Sequence, residues 1–370
     1  MGTGRNLLLY PFSLIYRVIT DLRNFFYNSG ILTSQEFHIP IICVGNITVG
    51  GTGKTPHTEY LVNLLKENFK VAVLSRGYKR KSRGLQIASD DSSVKDIGDE
   101  PLQIFRKFRD VLVTVDRNRI HGVDTILIEN PEIDVIILDD GFQHRSIKPG
   151  LSILLSDFNR PIVKDHLMPY GNLRESIKNI RRADVILITK SPDKISPINK
   201  RLIKKEIKKA AFQELYFTSF TYKDPLPVFT ENPSKKFTLP DLNPEKTGTL
   251  LVTGVACPEP FKAYLDQYFR EIIHLAYPDH HCFTKRDIEK ISAAFILLRS
   301  PSKFVITTEK DAVRLGEFTN IAKPLKLASY YIPVEVNFPD KDKNKFDKLI
   351  SDYVRKNKRN NNVFEGQRDG

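Results

Sequence analysis

Between Ile39 and Pro56 the chain reads I-P-I-I-C-V-G-N-I-T-V-G-G-T-G-K-T-P. Branched apolar residues up to Val44 predict a buried strand, the glycines at 50, 51 and 53 cannot prolong it, and Lys54 onward opens a helix. Such a strand, turn and helix N-terminus aims several backbone N–H groups at one point, where they can wrap phosphate oxygens. Lys54 then reaches the β- and γ-oxygens of a nucleotide and the Thr55 hydroxyl a magnesium ion, the arrangement of a P-loop. The usual spacing places one more glycine where Thr48 stands. The loop from Thr48 through Val49, Gly50, Gly51, Thr52, Gly53, Lys54 and Thr55 to Pro56 takes its freedom from the later glycines instead. An ordinary glycine-rich turn is the alternative, but G-K-T directly after an apolar strand is a much narrower pattern than a turn requires.

Downstream of this loop, strands and helices alternate. Val71 to Leu74 is a strand that runs into S-R-G-Y-K-R, with Arg76 as a candidate phosphate contact. G-D-E-P at Gly98 to Pro101 opens a helix through about Phe108, which puts Asp99 and Glu100 where an acid caps a helix. Val111 to Val115 is another strand, followed by a helix start holding Arg117 and Arg119. The apolar run Asp134 to Leu138 ends in D-D-G-F-Q-H-R. An acid at the C-terminal edge of a strand is where a P-loop enzyme holds magnesium, so Asp139 is the metal candidate beside Thr55. Asp140 shares that role or positions substrate, and Gln143, His144 and Arg145 extend the polar cluster. Strands Leu151 to Leu155 and Asp184 to Thr189 bracket P-Y-G-N-L-R-E, which contains Arg174 and Glu175. The alternation predicts an α/β, P-loop NTPase-like unit with a mainly parallel sheet and helices on both faces. The basic helix Lys194 to Lys209 reads as a solvated face.

The pattern changes at Leu215 to Tyr222, an alternating strand followed by a Pro- and Lys-rich linker through about Lys246. A smaller α/β unit follows, with strand Thr249 to Thr253, helix Glu259 to Tyr268, P-D-H-H-C-F at 278–283, helix Lys285 to Leu298, and strand Phe304 to Thr307 leading into T-E-K-D-A-V-R-L. Tyr330 to Phe338 is a last strand able to pair with the first linker strand, before a polar helix and a tail that frays from about Asn357. The expected divisions are an N-terminal helix at 1–30, a P-loop domain at 31–214, a linker at 215–247, a C-terminal α/β domain at 248–328, and a return strand, helix and tail at 329–370.

With 370 residues, 41% of them hydrophobic, the chain can fill about two cores. Lys and Arg number 57 against 44 Asp and Glu, a net charge of +13, which favours anionic partners without choosing among nucleic acid, phosphorylated metabolites and acidic membranes. Cys43, Cys257 and Cys282 are too few and too scattered for a disulfide framework. No uncharged apolar run of about twenty residues predicts a spanning helix, and the start lacks a secretory cleavage pattern. Leu8, Phe12, Ile15, Ile19, Leu22 and Phe26 recur at helical spacing, with Ser13, Arg17, Thr20, Asp21 and Asn24 opposite them. This helix, flanked by Arg5, Arg17 and Arg23, suits a bilayer interface, and the same stripe equally suits packing on its own domain.

His280, His281 and Cys282 are adjacent and lack a second ligand pair, so they do not close a tetrahedral metal site. A histidine that orients an acid–base carboxylate is the functional reading, and a hydrogen-bonded loop histidine is the bland one. In order along the chain, V-G-N-I-T-V-G-G-T-G-K-T-P, S-R-G-Y, G-D-E-P, L-D-D-G-F-Q-H, G-N-L-R-E, T-G-V-A-C-P-E-P-F, P-D-H-H-C-F and T-E-K-D-A-V-R-L closely resemble the tetraacyldisaccharide 4'-kinase (lipid A 4'-kinase) family, from the N-terminal helix to about Leu315.

The resemblance implies transfer of the ATP γ-phosphoryl group to the 4'-hydroxyl of a tetraacylated glucosamine disaccharide 1-phosphate, giving the 1,4'-bisphosphate. It implies two α/β domains joined by a two-stranded β linker, with the site in the cleft between them. It accounts for Thr48, implies ATP and Mg2+ as cofactors bound through Lys54 and Thr55, and places Asp139 and Asp140 in the metal and active-site segment. Asp99 matches the family's proposed base, with His280 taken as its partner and His281 the alternative. Arg174 and Glu175 are lesser positioning candidates, and Arg76, Arg117 and Arg119 are candidates for phosphates. A peripheral enzyme is implied, docked by its N-terminal helix on the cytoplasmic face of a bacterial inner membrane, with no nucleic acid and no obligate protein partner. The rival classes are a P-loop switch acting on a protein partner, for which no N-K-x-D follows a strand, and a nucleic-acid-stimulated ATPase.

Overall fold

The computed structural model describes residues 7–229, 237–339 and 341–365. Arg5, part of the Pro- and Lys-rich linker and the last five residues of the expected tail lie outside them.

The larger unit is built on strands β1 (Ile41–Gly45), β2 (Val71–Ser75), β3 (Gln86–Ile87), β4 (Leu112–Val115), β5 (Val135–Asp139), β6 (Leu151–Asp157), β7 (Val185–Thr189) and β8 (Glu214–Phe217). Their order across the sheet is β3-β4-β2-β5-β1-β6-β7-β8, parallel throughout except for the β3–β4 pair. The central strands are buried along their whole length, as strands covered on both faces must be. Separate apolar clusters fill the two sides of the sheet. Helices α1 (Tyr10–Asn28), α2 (Lys54–Leu65), α3 (Val94–Ile97), α4 (Asp99–Lys107), α5 (Arg119–Glu129) and α6 (Pro197–Ile207) belong to this unit. The chain leaves β1 toward one side of the sheet and later returns as β6 on the other, so the order reverses at β1. Open α/β sheets bind ligands at the carboxyl ends of the strands beside such a reversal.

The smaller unit has the order β10-β14-β13-β11-β12, from β10 (Leu226–Pro227), β11 (Thr247–Thr253), β12 (Glu271–Ala276), β13 (Ser302–Thr308) and β14 (Ser329–Ile332). It carries α7 (Glu259–Leu265), α8 (Lys285–Leu297), α9 (Glu309–Leu315) and α10 (Lys323–Ala328). The units are joined by an antiparallel ladder of β9 (Ser219–Tyr222) and β15 (Val334–Asn337).

Two expected strands are each divided. Leu215 to Tyr222 splits at Thr218, whose backbone closes against Ile188 and Ser191, so its first half finishes the large sheet and its second half starts the linker. Tyr330 to Phe338 splits at Pro333, which has no N–H to continue a ladder. Its first half joins the small sheet and its second pairs with the linker strand. β12 was not anticipated from the sequence. The last helix, α11 (Asp342–Glu365), returns to the larger unit and buries Phe346, Ile350 and Val354 in the core of its sheet.

α1 docks by its polar side. Ser13 and Asn24 are its buried residues, while Leu8, Phe12, Ile15 and Ile19 are 59–77% exposed. The Ser13 hydroxyl donates to the Leu167 carbonyl (3.0 Å), Tyr16 donates to the Arg174 carbonyl (2.9 Å) and Arg23 to the Gln143 carbonyl (2.8 Å). Among the described residues, no helix is long and apolar enough to cross a membrane.

Candidate active site

The turn after β1 is braced from three directions. Asn46 donates through Nδ2 to the Thr52 hydroxyl (2.8 Å), Thr189 donates to the Thr52 carbonyl (2.8 Å), and the Val49 N–H donates to the Asn172 carbonyl (2.8 Å). Gly53 caps α2 at φ +89° and a Cβ there would lie 2.6 Å from the Phe220 ring of the linker strand, so only glycine fits. α2 has no acidic residue in its first turn, which leaves the positive end of its dipole open to an anion. Lys54 and Thr55 begin this helix beside the ends of β1 and β5.

At the end of β5 two adjacent carboxylates have opposite surroundings. Asp139 is fully buried and accepts from Thr58 Oγ1 (3.1 Å) and Ser75 Oγ (3.4 Å). Burial, reinforced by the charges of Glu100 and Asp140, pushes its carboxyl up to about 7. Asp140 turns at φ +50° and faces Lys54 Nζ (3.5 Å) and Arg174 Nη1 (3.6 Å). Burial raises its carboxyl too, but Lys54, Arg174 and Arg119 together outweigh that and hold it below the usual range. Its Oδ1 is shielded from solvent and has no hydrogen-bond partner.

The second cluster spans the two units. Gly98, at φ +93° and ψ 162°, adopts a conformation open only to glycine and delivers Asp99 to the first turn of α4. Asp99 Oδ2 lies 2.9 Å from His280 Nδ1 and 3.5 Å from Arg314 Nε, while its Oδ1 accepts from the Glu100 N–H (3.0 Å). Burial opposes the charged form, but the His280 hydrogen bond, Lys310 and Arg314 outweigh it and hold the Asp99 carboxyl well below its ordinary value. His280 sits in the left-handed region (φ +56°) with its carbonyl accepting from Lys79 (3.3 Å) and Tyr78 edge-on to its ring. The two histidines therefore divide. His281 bonds Asp287 (3.0 Å) and stacks on Tyr277, which makes it a structural residue.

The other anticipated residues fall in three groups. Arg76 and Arg117 are exposed, whereas Arg119 is buried and donates to the carbonyls of Asp116 and Asp139. Burial lowers His144 to about 4, with Arg119 and Arg76 adding to the effect, so those arginines share one electropositive region with it. Gln143 donates to the Asn46 carbonyl under the P-loop. Glu175 is 2% exposed and ion-paired with Arg182 (2.5 Å), so its carboxylate is engaged in tying the G-N-L-R-E segment down rather than facing a ligand. Lys310, Arg314, Thr58 and Ser75 were not singled out from the sequence, although T-E-K-D-A-V-R-L contains the first two.

A family model described as tetraacyldisaccharide-1-P 4'-kinase matches residues 5–355, well past the Leu315 limit of the motif resemblance. The tetraacyldisaccharide 4'-kinase of Bacteroides thetaiotaomicron is 45% identical over 362 residues, covering 96% of this chain and 95% of its own. That of Phocaeicola vulgatus is 46% identical over 359 residues, covering 96% and 97%. Among solved structures, LpxK from Aquifex aeolicus, crystallised in complex with ATP, matches with a TM-score of 0.71 at 28% identity over 93% of this chain and 98% of its own.

Proposed function

The chain belongs to the tetraacyldisaccharide-1-phosphate 4'-kinase family and is an ATP-dependent kinase of lipid A precursors, and from this premise we propose how its residues perform the transfer. The observation that carries the reading is the Asp99–His280 contact, which joins the P-loop unit to the smaller unit at a helix N-terminus beside the nucleotide site. The acceptor is the 4'-hydroxyl of a tetraacylated glucosamine disaccharide 1-phosphate. Asp99 accepts the hydroxyl proton as the sugar oxygen attacks the γ-phosphorus, and the bond to ADP breaks. Held anionic by His280, Lys310 and Arg314, Asp99 is a weak base in the ground state. That suffices for a loose phosphoryl-transfer transition state, in which the hydroxyl becomes acidic late and alignment does most of the work.

The backbone N–H groups from Gly50 to Thr55 cradle the phosphates and Lys54 neutralises charge on the transferring group. The donor set fits magnesium, with the Thr55 hydroxyl and the Asp139–Asp140 pair at hand. Asp140 Oδ1 makes no hydrogen bond and meets Lys54 Nζ at 3.5 Å, while both Asp139 oxygens already accept from Thr58 and Ser75, so Asp139 backs the site and Asp140 faces it. An ion held there by the Thr55 hydroxyl and the Asp140 carboxylate would supply charge neutralisation for the transferring phosphoryl group. The charges of Arg76, Arg119 and Arg174, around a neutral His144, make an electropositive wall suited to the phosphates. The outward apolar face of α1 lies in the bilayer interface, on the cytoplasmic side of the inner membrane, so the acceptor's acyl chains never leave the lipid.

Transfer of labelled phosphate from ATP and magnesium to the lipid acceptor in mixed micelles tests this. Asp99→Asn, which keeps the shape but not the basicity, is expected to lower the rate roughly 10²- to 10⁴-fold while ATP binding persists. Full transfer by Asp99→Asn would remove the base assignment.

A further inference from the structure

The buried cation beside the base does more than keep Asp99 charged. Lys310 stands in the first turn of α9, in the smaller unit, with its Nζ 3.0 Å from His280 Nε2, 2.9 Å from Glu100 Oε1 and 3.9 Å from Asp279 Oδ1. Burial works against its charge, but Glu100, Asp99 and Asp279 more than compensate and raise it above the ordinary lysine value. An ammonium group can only donate, so the ring nitrogen that meets it must accept. With Nε2 accepting from Lys310, the single ring hydrogen is on Nδ1, the nitrogen 2.9 Å from Asp99. His280 is thereby a donor to the carboxylate and never competes with it for the substrate's proton.

We propose that Lys310 is a positioning residue for phosphoryl transfer: it fixes His280 in the Nδ1–H tautomer, and through His280 it fixes the orientation of the Asp99 carboxylate toward the acceptor hydroxyl. The chain of contacts is Glu100, Lys310, His280, Asp99, and it crosses between the units twice. The orientation of the base is therefore set only when α4 and α9 are together. Without the ammonium, Asp279 Oδ2, 3.9 Å from Nε2, is left to compete with Asp99 for the ring hydrogen. A ring that turns or changes tautomer presents a bare lone pair to the carboxylate, and the two groups then repel. The proposal rests on the reading of Asp99 as base.

The test is the tautomer itself, read from 15N-histidine-labelled full-length protein in detergent, with the His280 signals assigned by their loss in His280→Gln. The expected wild-type spectrum has a protonated Nδ1 and an accepting Nε2. Lys310→Met, which keeps the length of the stem, is expected to mix the tautomers. It is also expected to lower kcat roughly 10- to 100-fold, with KM for ATP and lipid changed by no more than a fewfold. Lys310→Arg, which restores a donor, is expected to recover part of kcat. An Nε2-protonated His280 in the wild type overturns the proposal even if Lys310→Met does not fold. So does an unchanged tautomer in Lys310→Met, or a loss that falls on KM alone, which would make Lys310 only a clasp between units. Failure of the base reading is distinguishable, because it appears as activity in Asp99→Asn whatever the tautomer.

Discussion

Asp139 and Asp140 are neighbours in sequence, yet the structure gives them different work. The first is sealed under Thr58 and Ser75 and raised to about 7 by burial and by the charges of Glu100 and Asp140, whereas the second is held anionic by Lys54, Arg174 and Arg119. A carboxylate that must meet a cation has to stay charged, and of the two only Asp140 is held anionic, with an Oδ1 that makes no hydrogen bond. Asp140→Asn is therefore expected to lower kcat roughly 10- to 100-fold and to raise the magnesium concentration needed for half-maximal rate. A magnesium titration at fixed ATP checks this, and an unchanged half-point would leave the cation to Asp139. The adjacent acids were visible in L-D-D-G-F-Q-H, but their division of labour was not, because it depends on side chains brought in from Thr58, Ser75 and Arg174. Lys310 was hidden for the same reason. It is 210 residues from the Glu100 it bonds and no spacing rule connects them.

Secondary elements were more legible than their partners. The strand before the P-loop, the G-D-E-P helix and the β5 edge follow from local chemistry, since apolar runs, glycine turns and capping positions act over a few residues. What was lost were the breaks at Thr218 and Pro333, where one alternating run serves two sheets, and the direction in which α1 faces. Periodicity defines a stripe but not what covers it. Here the polar side is spent on hydrogen bonds to the 167–175 segment and the apolar side is left out. Phe12→Ser, Ile15→Ser and Ile19→Ser combined remove three exposed apolar side chains without touching those bonds. At roughly 1 kcal/mol or more each for partial burial in lipid, the triple variant is expected to bind anionic vesicles about a hundredfold less well. Its melting temperature and ATP binding are expected to be unchanged. Co-sedimentation with phosphatidylglycerol vesicles reads the first effect, and undiminished sedimentation would mean the stripe does not meet lipid.

At the scale of the whole molecule, His280 and Lys310 reach Asp99 only if the two units are held together, and a second charged clasp does this away from that cluster. Glu59 of α2 accepts from Gln103 (2.7 Å) and from Lys107 of α4 (2.6 Å), and Lys107 also pairs with Glu309 of α9 (3.2 Å). These three helices carry Lys54, Asp99 and Lys310 respectively, so the clasp governs the spacing of the site. Two carboxylates share one ammonium. Burial, then the Glu309 charge, pushes Glu59 up to about 7 despite Lys107, and burial raises Glu309 as well. Because the folded value lies above the ordinary 4.5, the native protein binds more protons than the unfolded chain between about 4.5 and about 7. The stability contributed by Glu59 is thus complete at low pH and is lost as pH rises through about 7. Glu59→Gln is neutral at every pH and has no such loss, so its melting temperature is expected to gain on the wild type from pH 5 to about pH 7 and to level off by pH 8. A difference between the two proteins that stays constant over that range would show that Glu59 does not titrate there, and the clasp would then hold with the same strength on both sides of neutrality.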